Sequence, residues 1–242
     1  AFEILDTQIL PKKEYGDRIR YGLRAQGLQA STAVTANDPS MVFTYGEFPT
    51  WSMDELIDAA MNHAHGINSQ ASNEPIHLLD LGSGCGRLVL YSALTRGTAE
   101  KPWHIHGIEI SDILHSVANQ AVDTAISEGL ASKDDSSSSL HSSNLLSLHL
   151  GAAQDLKEVL SKAQIIFAYS TVWSTNGFSE ELCAMIMSGE WSEMLANNCS
   201  KGCVVITTDR ALDPKLGWEL VDRFDVDNRE VLGSTGFIQV LR

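Results

Sequence analysis

Leu78-Leu79-Asp80-Leu81-Gly82-Ser83-Gly84-Cys85-Gly86-Arg87 runs from an apolar strand, through a glycine-rich turn, into a stretch with helical periodicity. Glycine lets the backbone turn sharply and approach a ligand closely, and a helix start beside such a turn presents unpaired N–H groups. The spacing is GxGxG. A dinucleotide fingerprint needs its third glycine at position 87, where Arg87 stands, and a phosphate-binding P-loop needs a following Gly-Lys-Ser/Thr that is absent. Further on, Gly107-Ile108-Glu109-Ile110-Ser111 sets a carboxylate at the end of the next strand. The separation is a little over the ~20 residues at which an acid meets ribose hydroxyls in doubly wound folds. A nucleoside lying across the first two strand ends satisfies both features.

Working outward, short apolar runs alternate with amphipathic stretches after about residue 74, the pattern of a parallel sheet flanked by helices. The runs predict strands over 76–81, 104–110, 145–150, 163–170 and 204–208, and helices over 88–95, 113–128, 154–160 and 179–197, the last broken at Gly189. Two strand-like runs, 218–226 and 237–241, follow one another with only a turn-rich link, so they predict an antiparallel hairpin that closes the sheet. Residues 133–144, with serine at 136 to 139, read as a flexible polar insertion. Ser52 with Glu55 reads as a capping box that starts a helix whose apolar face is Leu56, Ile57, Ala60 and Met61. Residues 1–50 are then a small helical N-terminal appendage, and 51–242 are the α/β domain.

The chain has 242 residues, 43% of them apolar and 20% charged, which is the composition of a folded globule. Its formal charge of −14 is the wrong sign for gripping a phosphate backbone, so no direct nucleic-acid partner is expected. Cys85, Cys183, Cys199 and Cys203 form no CxxC pair, and neither a disulfide framework nor a metal site is indicated by their spacing. His104-x-His106 falls on a strand without further ligands and His63-x-His65 at a helix end, so both read as surface or core histidines, with no metal expected. No run approaches the roughly 20 apolar residues that span a bilayer, and the acidic start is unlike a signal peptide. A soluble, intracellular protein with no membrane partner is expected.

With these residues in hand, the chain resembles the class I S-adenosylmethionine-dependent methyltransferases. Asp80 to Gly86 is similar to that superfamily's first motif, Glu109 to its ribose-binding acid, and the closing hairpin to its antiparallel seventh strand. The resemblance implies a seven-stranded Rossmann-like sheet, S-adenosylmethionine as cofactor, and cofactor contacts from Asp80, Gly82, Ser83, Gly84, Gly86 and Glu109. After the third strand, Gly151-Ala152-Ala153-Gln154-Asp155 stands where the superfamily often carries an acid beside adenine. Position 152 is alanine, so Asp155, or the Ala153 backbone with Gln154, is expected to serve there.

A narrower resemblance lies upstream. Phe43-Thr44-Tyr45-Gly46-Glu47 before the helix that precedes the first motif, with Gly86-Arg87-Leu88-Val89-Leu90 after it, is similar to the disruptor-of-telomeric-silencing family of non-SET histone-lysine methyltransferases. In that family the Tyr-Gly-Glu loop folds over the methionine end of the cofactor, which implies that role for Tyr45, Gly46 and Glu47. The acceptor is then a protein lysine. At the substrate end Ile165-Ile166-Phe167-Ala168-Tyr169-Ser170-Thr171 resembles the family's Val-Ile-Phe-Val-Asn-Asn-Phe run, with Tyr169 and Ser170 in place of the asparagines. Tyr169, Ser170 and Thr171 are therefore the candidate catalytic residues, orienting an amine or hydroxyl acceptor with Trp173 as a wall. A small-molecule acceptor, or cofactor binding without catalysis, remains open from the residues alone.

Overall fold

Apolar runs too short for helices pair as strands, and the amphipathic stretches between them become helices. The computed structural model describes residues 9–10, 47–64, 74–98, 100–128, 130–133, 138–140, 144–228 and 232–242. In chain order the elements are α1 (Thr50–Met61), β1 (Ile76–Leu81), α2 (Arg87–Thr95), β2 (Trp103–Glu109), α3 (Asp112–Ser127), β3 (Ala131–Lys133), β4 (Ser138–Leu140), β5 (Leu145–Leu150), α4 (Lys157–Lys162), β6 (Ile165–Ala168), β7 (Thr175–Ser179), β8 (Ala184–Met187), α5 (Gly189–Asn198), β9 (Val204–Thr208), β10 (Arg210–Ala211), β11 (Trp218–Val226) and β12 (Ser234–Leu241). The described parts of Ala1–Gly46 and Ser72–Ala152 form one compact unit, and those of Glu47–Ala71 and Ala153–Arg242 a second.

In the first unit β1 runs parallel to β2, with Ile76 opposite Trp103 and Leu81 opposite Ile108, and β2 runs parallel to β5, with Glu109 opposite Leu150. The strands β3 and β4 extend this arm antiparallel. Helix α2 buries Val89, Leu90 and Ala93, and α3 buries Leu114, Ala118, Ala121, Val122 and Ala125. Ser111 caps α3 by accepting from the Leu114 N–H, with Asp112 in the first turn complementing the helix dipole. Buried Asn144 accepts from the Trp103 N–H at 2.9 Å and donates to the Ala93 carbonyl at 2.9 Å, satisfying a carbonyl near the end of α2.

In the second unit β6 runs parallel to β9, while β12 is antiparallel to both β9 and β11. Helix α1 lays Met53, Leu56, Ile57 and Ala60 over this arm. It comes so close that a Cβ at Gly236 would strike the Leu56 side chain. A small sheet of β10, β8 and β7 adds Leu182, Ala184 and Ala211 to a cluster with Phe237. The architecture is α/β, with β1, β2 and β5 parallel in the first unit, β6 and β9 parallel in the second, and an antiparallel last strand, as expected.

Four readings change. The stretch 179–197 is helical only from Gly189, which starts α5, while Ala184–Met187 pairs antiparallel with Thr175–Ser179 through a turn in which Cys183 has φ 44°. Burial at Ala184 and Met187 falls three residues apart, which imitates a helical face in a run too short to arbitrate. Ser52 is no cap, because α1 starts at Thr50 after Pro49; buried within the helix, Ser52 instead donates to the Asp227 carbonyl at 2.6 Å. The insertion read over 133–144 contains β4, paired with β5; positions 134–137 and 141–143 lie outside the described residues. The helix read over 154–160 divides into a 3-10 turn, Ala153–Asp155, and α4. Apart from Ile9, Leu10 and 47–50, the appendage read over 1–50 lies outside the described residues.

Candidate cofactor site

Three neighbouring parallel strands of the first unit end side by side, and their carboxyl ends carry the glycine turn, Glu109 and Leu150. Gly82, Gly84 and Gly86 have φ of 80°, 55° and 77°, a left-handed backbone that other residues adopt only with strain. The turn is tied to β2 by the Gly82 and Ser83 N–H groups, both donating to the Ile108 carbonyl at 2.9 Å. Gly86 is the N-terminal cap of α2 and brings the turn against α3, where a Cβ would lie 2.9 Å from that of Ala118. Gly107, although its backbone is ordinary, has no room for a side chain, since a Cβ there would meet Ser83 Oγ at 2.8 Å and Leu148 Cδ2 at 3.0 Å.

Glu109 is the centre of the arrangement. Its Oε2 accepts from the Gly84 N–H at 2.8 Å and its Oε1 from the Ser111 N–H at 2.8 Å. Burial raises its pKa, opposed by the N–H groups of Ser111, Gly84 and Ile110. With those N–H groups holding the carboxylate, its remaining lone-pair capacity is an acceptor in a fixed position for a ligand hydroxyl. Asp80, on β1, is 6% exposed, and burial, with the Glu109 charge beside it, pushes its carboxyl up to about 7. Cys85 is buried and its thiol is pushed up to about 12 by burial, which makes it inert.

Two residues that sequence reasoning did not single out complete this edge. Ile110 and Leu150, at the ends of β2 and β5, are 53% and 50% exposed, and the Gly151 N–H donates to the Glu109 carbonyl at 2.9 Å. Large apolar side chains held in the open beside a buried carboxylate suit a flat, apolar-faced ligand. The available signal was position, since each stands where a strand ends, as Glu109 does.

In the second unit, Gln154 and Asp155 are exposed on the 3-10 turn. Glu47 is half-buried just before α1, whereas Tyr45 and Gly46 lie outside the described residues. Tyr169 packs on Phe48 with centroids 5.2 Å apart, and its hydroxyl accepts from Asn228 Nδ2 at 3.1 Å. Ser170 is fully buried; its hydroxyl donates to the Thr208 carbonyl at 2.8 Å and accepts from the Thr208 N–H at 3.0 Å. That makes Ser170 a strut joining the β6 and β9 ends. Thr171 donates to Asp209 Oδ2 at 2.5 Å, and Asp209 also accepts from Ser234 at 3.0 Å and from the Thr235 N–H at 2.8 Å. Asp209, Asn228 and Ser234 thus join the candidate acceptor residues. Trp173 stacks on Trp191 with centroids 4.1 Å apart, and its carbonyl accepts from Arg210.

No family model and no curated protein matches the sequence. Among solved structures, the rRNA methyltransferase aviRa from Streptomyces viridochromogenes matches with a TM-score of 0.51 at 12% identity, over 86% of this chain and 91% of that one. The fold is that of the Rossmann-like methyltransferases. The magnesium protoporphyrin IX methyltransferase ChlM from Synechocystis PCC 6803, solved with bound SAH, is similar over 99% of this chain and 97% of its own, at 11% identity and TM-score 0.48. In a methyltransferase fold of this kind, as in open α/β sheets generally, ligands sit beyond the carboxyl ends of the strands, the edge that carries Gly84, Glu109, Ile110 and Leu150 here. Among the described residues no helix is long and apolar enough to cross a membrane.

Proposed function

We propose that the chain is an S-adenosylmethionine-dependent methyltransferase. The observation that carries this reading is the clamp of Glu109 on the Gly84 N–H, which sets a buried carboxylate against a left-handed glycine turn at adjoining strand ends. Glu109 takes the ribose hydroxyls, Ile110 and Leu150 flank the adenine, and Asp80, Gly82, Ser83 and Gly86 shape the turn. By resemblance, Tyr45, Gly46 and Glu47 cover the methionine end, and Gln154 and Asp155 serve near the adenine.

The acceptor we propose is a protein lysine. Methyl transfer is an in-line displacement in which the protein chiefly positions the nucleophile and excludes water. A lysine, with an intrinsic pKa near 10.4, must first lose its proton. Tyr169 and Thr171 supply hydroxyls for orienting the amine, held by Asn228 and Asp209, with Ser170 as the buried strut. A net charge of −14 draws a cationic acceptor and repels a polyanionic one. A small-molecule acceptor is the second reading, favoured by Tyr169 and Ser170 standing where the lysine-methylating family has asparagines.

The test is transfer from cofactor labelled on its methyl group into an extract, followed by separation of proteins from metabolites. Label on protein lysine supports the first reading. Label confined to metabolites moves the function to the second, and cofactor binding without transfer to any acceptor contradicts catalysis.

A further inference from the structure

The alternation of side chains along a strand puts His104 and His106 of β2 on the face opposite Glu109. The parallel register sets His77 of β1 beside His104, and His149 of β5 beside Ile108, two positions beyond His106. Four imidazoles therefore share one face of three strands. His77 Nδ1 lies 3.0 Å from His106 Nε2, and His106 Nδ1 lies 3.3 Å from His149 Nε2. The His104 and His106 rings stack with centroids 4.0 Å apart. One ring nitrogen from each of His77, His104 and His106 falls within 4.8 Å of the other two. His106 is buried, while His77 and His104 are half-buried and so reachable from solvent. The reading of His104-x-His106 as a pair without further ligands is corrected here, because pairing of β1 with β2 delivers a histidine 27 positions upstream of His104.

We infer that His77, His104 and His106 form a binding site for one divalent transition-metal ion, with zinc the best-fitting occupant and solvent in the fourth position. Zinc holds imidazole nitrogens at about 2.0–2.1 Å, so two ligands at a tetrahedral angle stand about 3.3 Å apart. The His77 and His106 nitrogens already stand at 3.0 Å. The His106 ring lies 12° from that of His77 and 27° from that of His104, while the His77 and His104 rings are tilted by 38°, so bringing three lone pairs to one point takes rotation about the ring torsion, a soft motion for histidine. Supporting partners are in place. His104 Nε2 meets Ser147 Oγ at 2.9 Å, and with Nε2 of His106 on the metal, its Nδ1 carries the proton and donates to His149 Nε2. An all-imidazole set selects zinc, copper or nickel over magnesium and calcium, whose ligands are oxygens. The site lies on the opposite face of β2 from Glu109 and does not depend on the methyl-transfer reading. An ion bound only by the folded chain would fasten β1 to β2.

The test uses the whole chain, untagged and stripped with EDTA, titrated with zinc chloride against a chromophoric chelator. The expected result is one zinc per chain at micromolar affinity or tighter. His77→Gln and His104→Gln should each weaken it by about tenfold or more, and equimolar zinc should raise Tm in the parent but not in the variants. Circular dichroism and Tm in EDTA establish that each variant folds. Cobalt bound to the parent should give visible bands of a nitrogen and oxygen site. Failure to bind zinc stoichiometrically, affinity unchanged in both variants, or a thiolate charge-transfer band in the cobalt form would each overturn the inference.

Discussion

The Gly84 N–H donates to Glu109 Oε2 at 2.8 Å, so a glycine held in the left-handed backbone region and a buried carboxylate on the neighbouring strand are hydrogen-bonded to each other. Gly84 has φ 55°, and a β-branched residue there pays steric strain and displaces this N–H. Gly84→Val is expected to abolish S-adenosylmethionine binding and to lower stability by about 1–3 kcal/mol. Titration calorimetry and urea unfolding check the two effects separately, and unchanged affinity would contradict the assignment of the turn.

Gly107→Ala tests the packing beneath the turn. Its Cβ would stand 2.8 Å from Ser83 Oγ and 3.0 Å from Leu148 Cδ2, so the Ser83 side chain must move and carry the turn with it. We expect a loss of about 1–3 kcal/mol in urea unfolding, as for overpacking in a tight interior, together with weaker cofactor binding. A variant as stable as the parent would mean that the turn yields without cost.

Asp80 makes stability depend on pH. Its folded pKa is raised from 3.8 to about 7, so between these values the folded chain holds a proton that the unfolded chain has released. The stabilisation from that proton is complete below about 4 and is lost as pH rises to about 7, by at most about 4 kcal/mol. Asp80→Asn should remove this slope, so the variant gains on the parent as pH rises from 4 to 8. Parallel pH-dependent unfolding curves for the two proteins would contradict this.

Ile110 and Leu150 separate binding from folding. Both are about half exposed, so truncation to alanine should change stability by no more than about 0.5 kcal/mol. If they flank the adenine, the double variant should weaken cofactor binding about tenfold or more, each side chain losing about 1 kcal/mol of apolar contact. Calorimetry showing equal affinity would remove them from the site.

Asn228→Ala probes the second unit's polar network. Asn228 is fully buried and donates to both Tyr169 and Ser234, so truncation removes two buried hydrogen bonds and should cost about 1–3 kcal/mol. Cofactor affinity should be retained while turnover falls, which calorimetry and a transfer assay read separately.

The parallel strands were legible because each is an apolar run with an identifiable turn at its end, as in Leu78 to Gly84, and the hairpin of β11 and β12 because no helical stretch separates its strands. The β7–β8 hairpin was not, since Ala184-Met185-Ile186-Met187 is equally apolar as strand or helix and only pairing across a turn at Cys183 decides it. The meeting of Glu109 with the glycine turn was legible from its spacing to the glycines. Asp209, Asn228 and the histidine cluster were not, because strand register and loop closure bring together residues that are far apart along the chain. Asn228 lies 59 positions from Tyr169, and His106 lies 29 from His77.

Calorimetric titration of S-adenosylmethionine into the parent protein and into Glu109→Ala tests most directly whether Glu109 holds the cofactor. One cofactor per chain is expected for the parent and a loss of about tenfold or more in the variant, as for removal of charge-assisted hydrogen bonds. No binding to the parent, or equal binding to both proteins, would contradict that role.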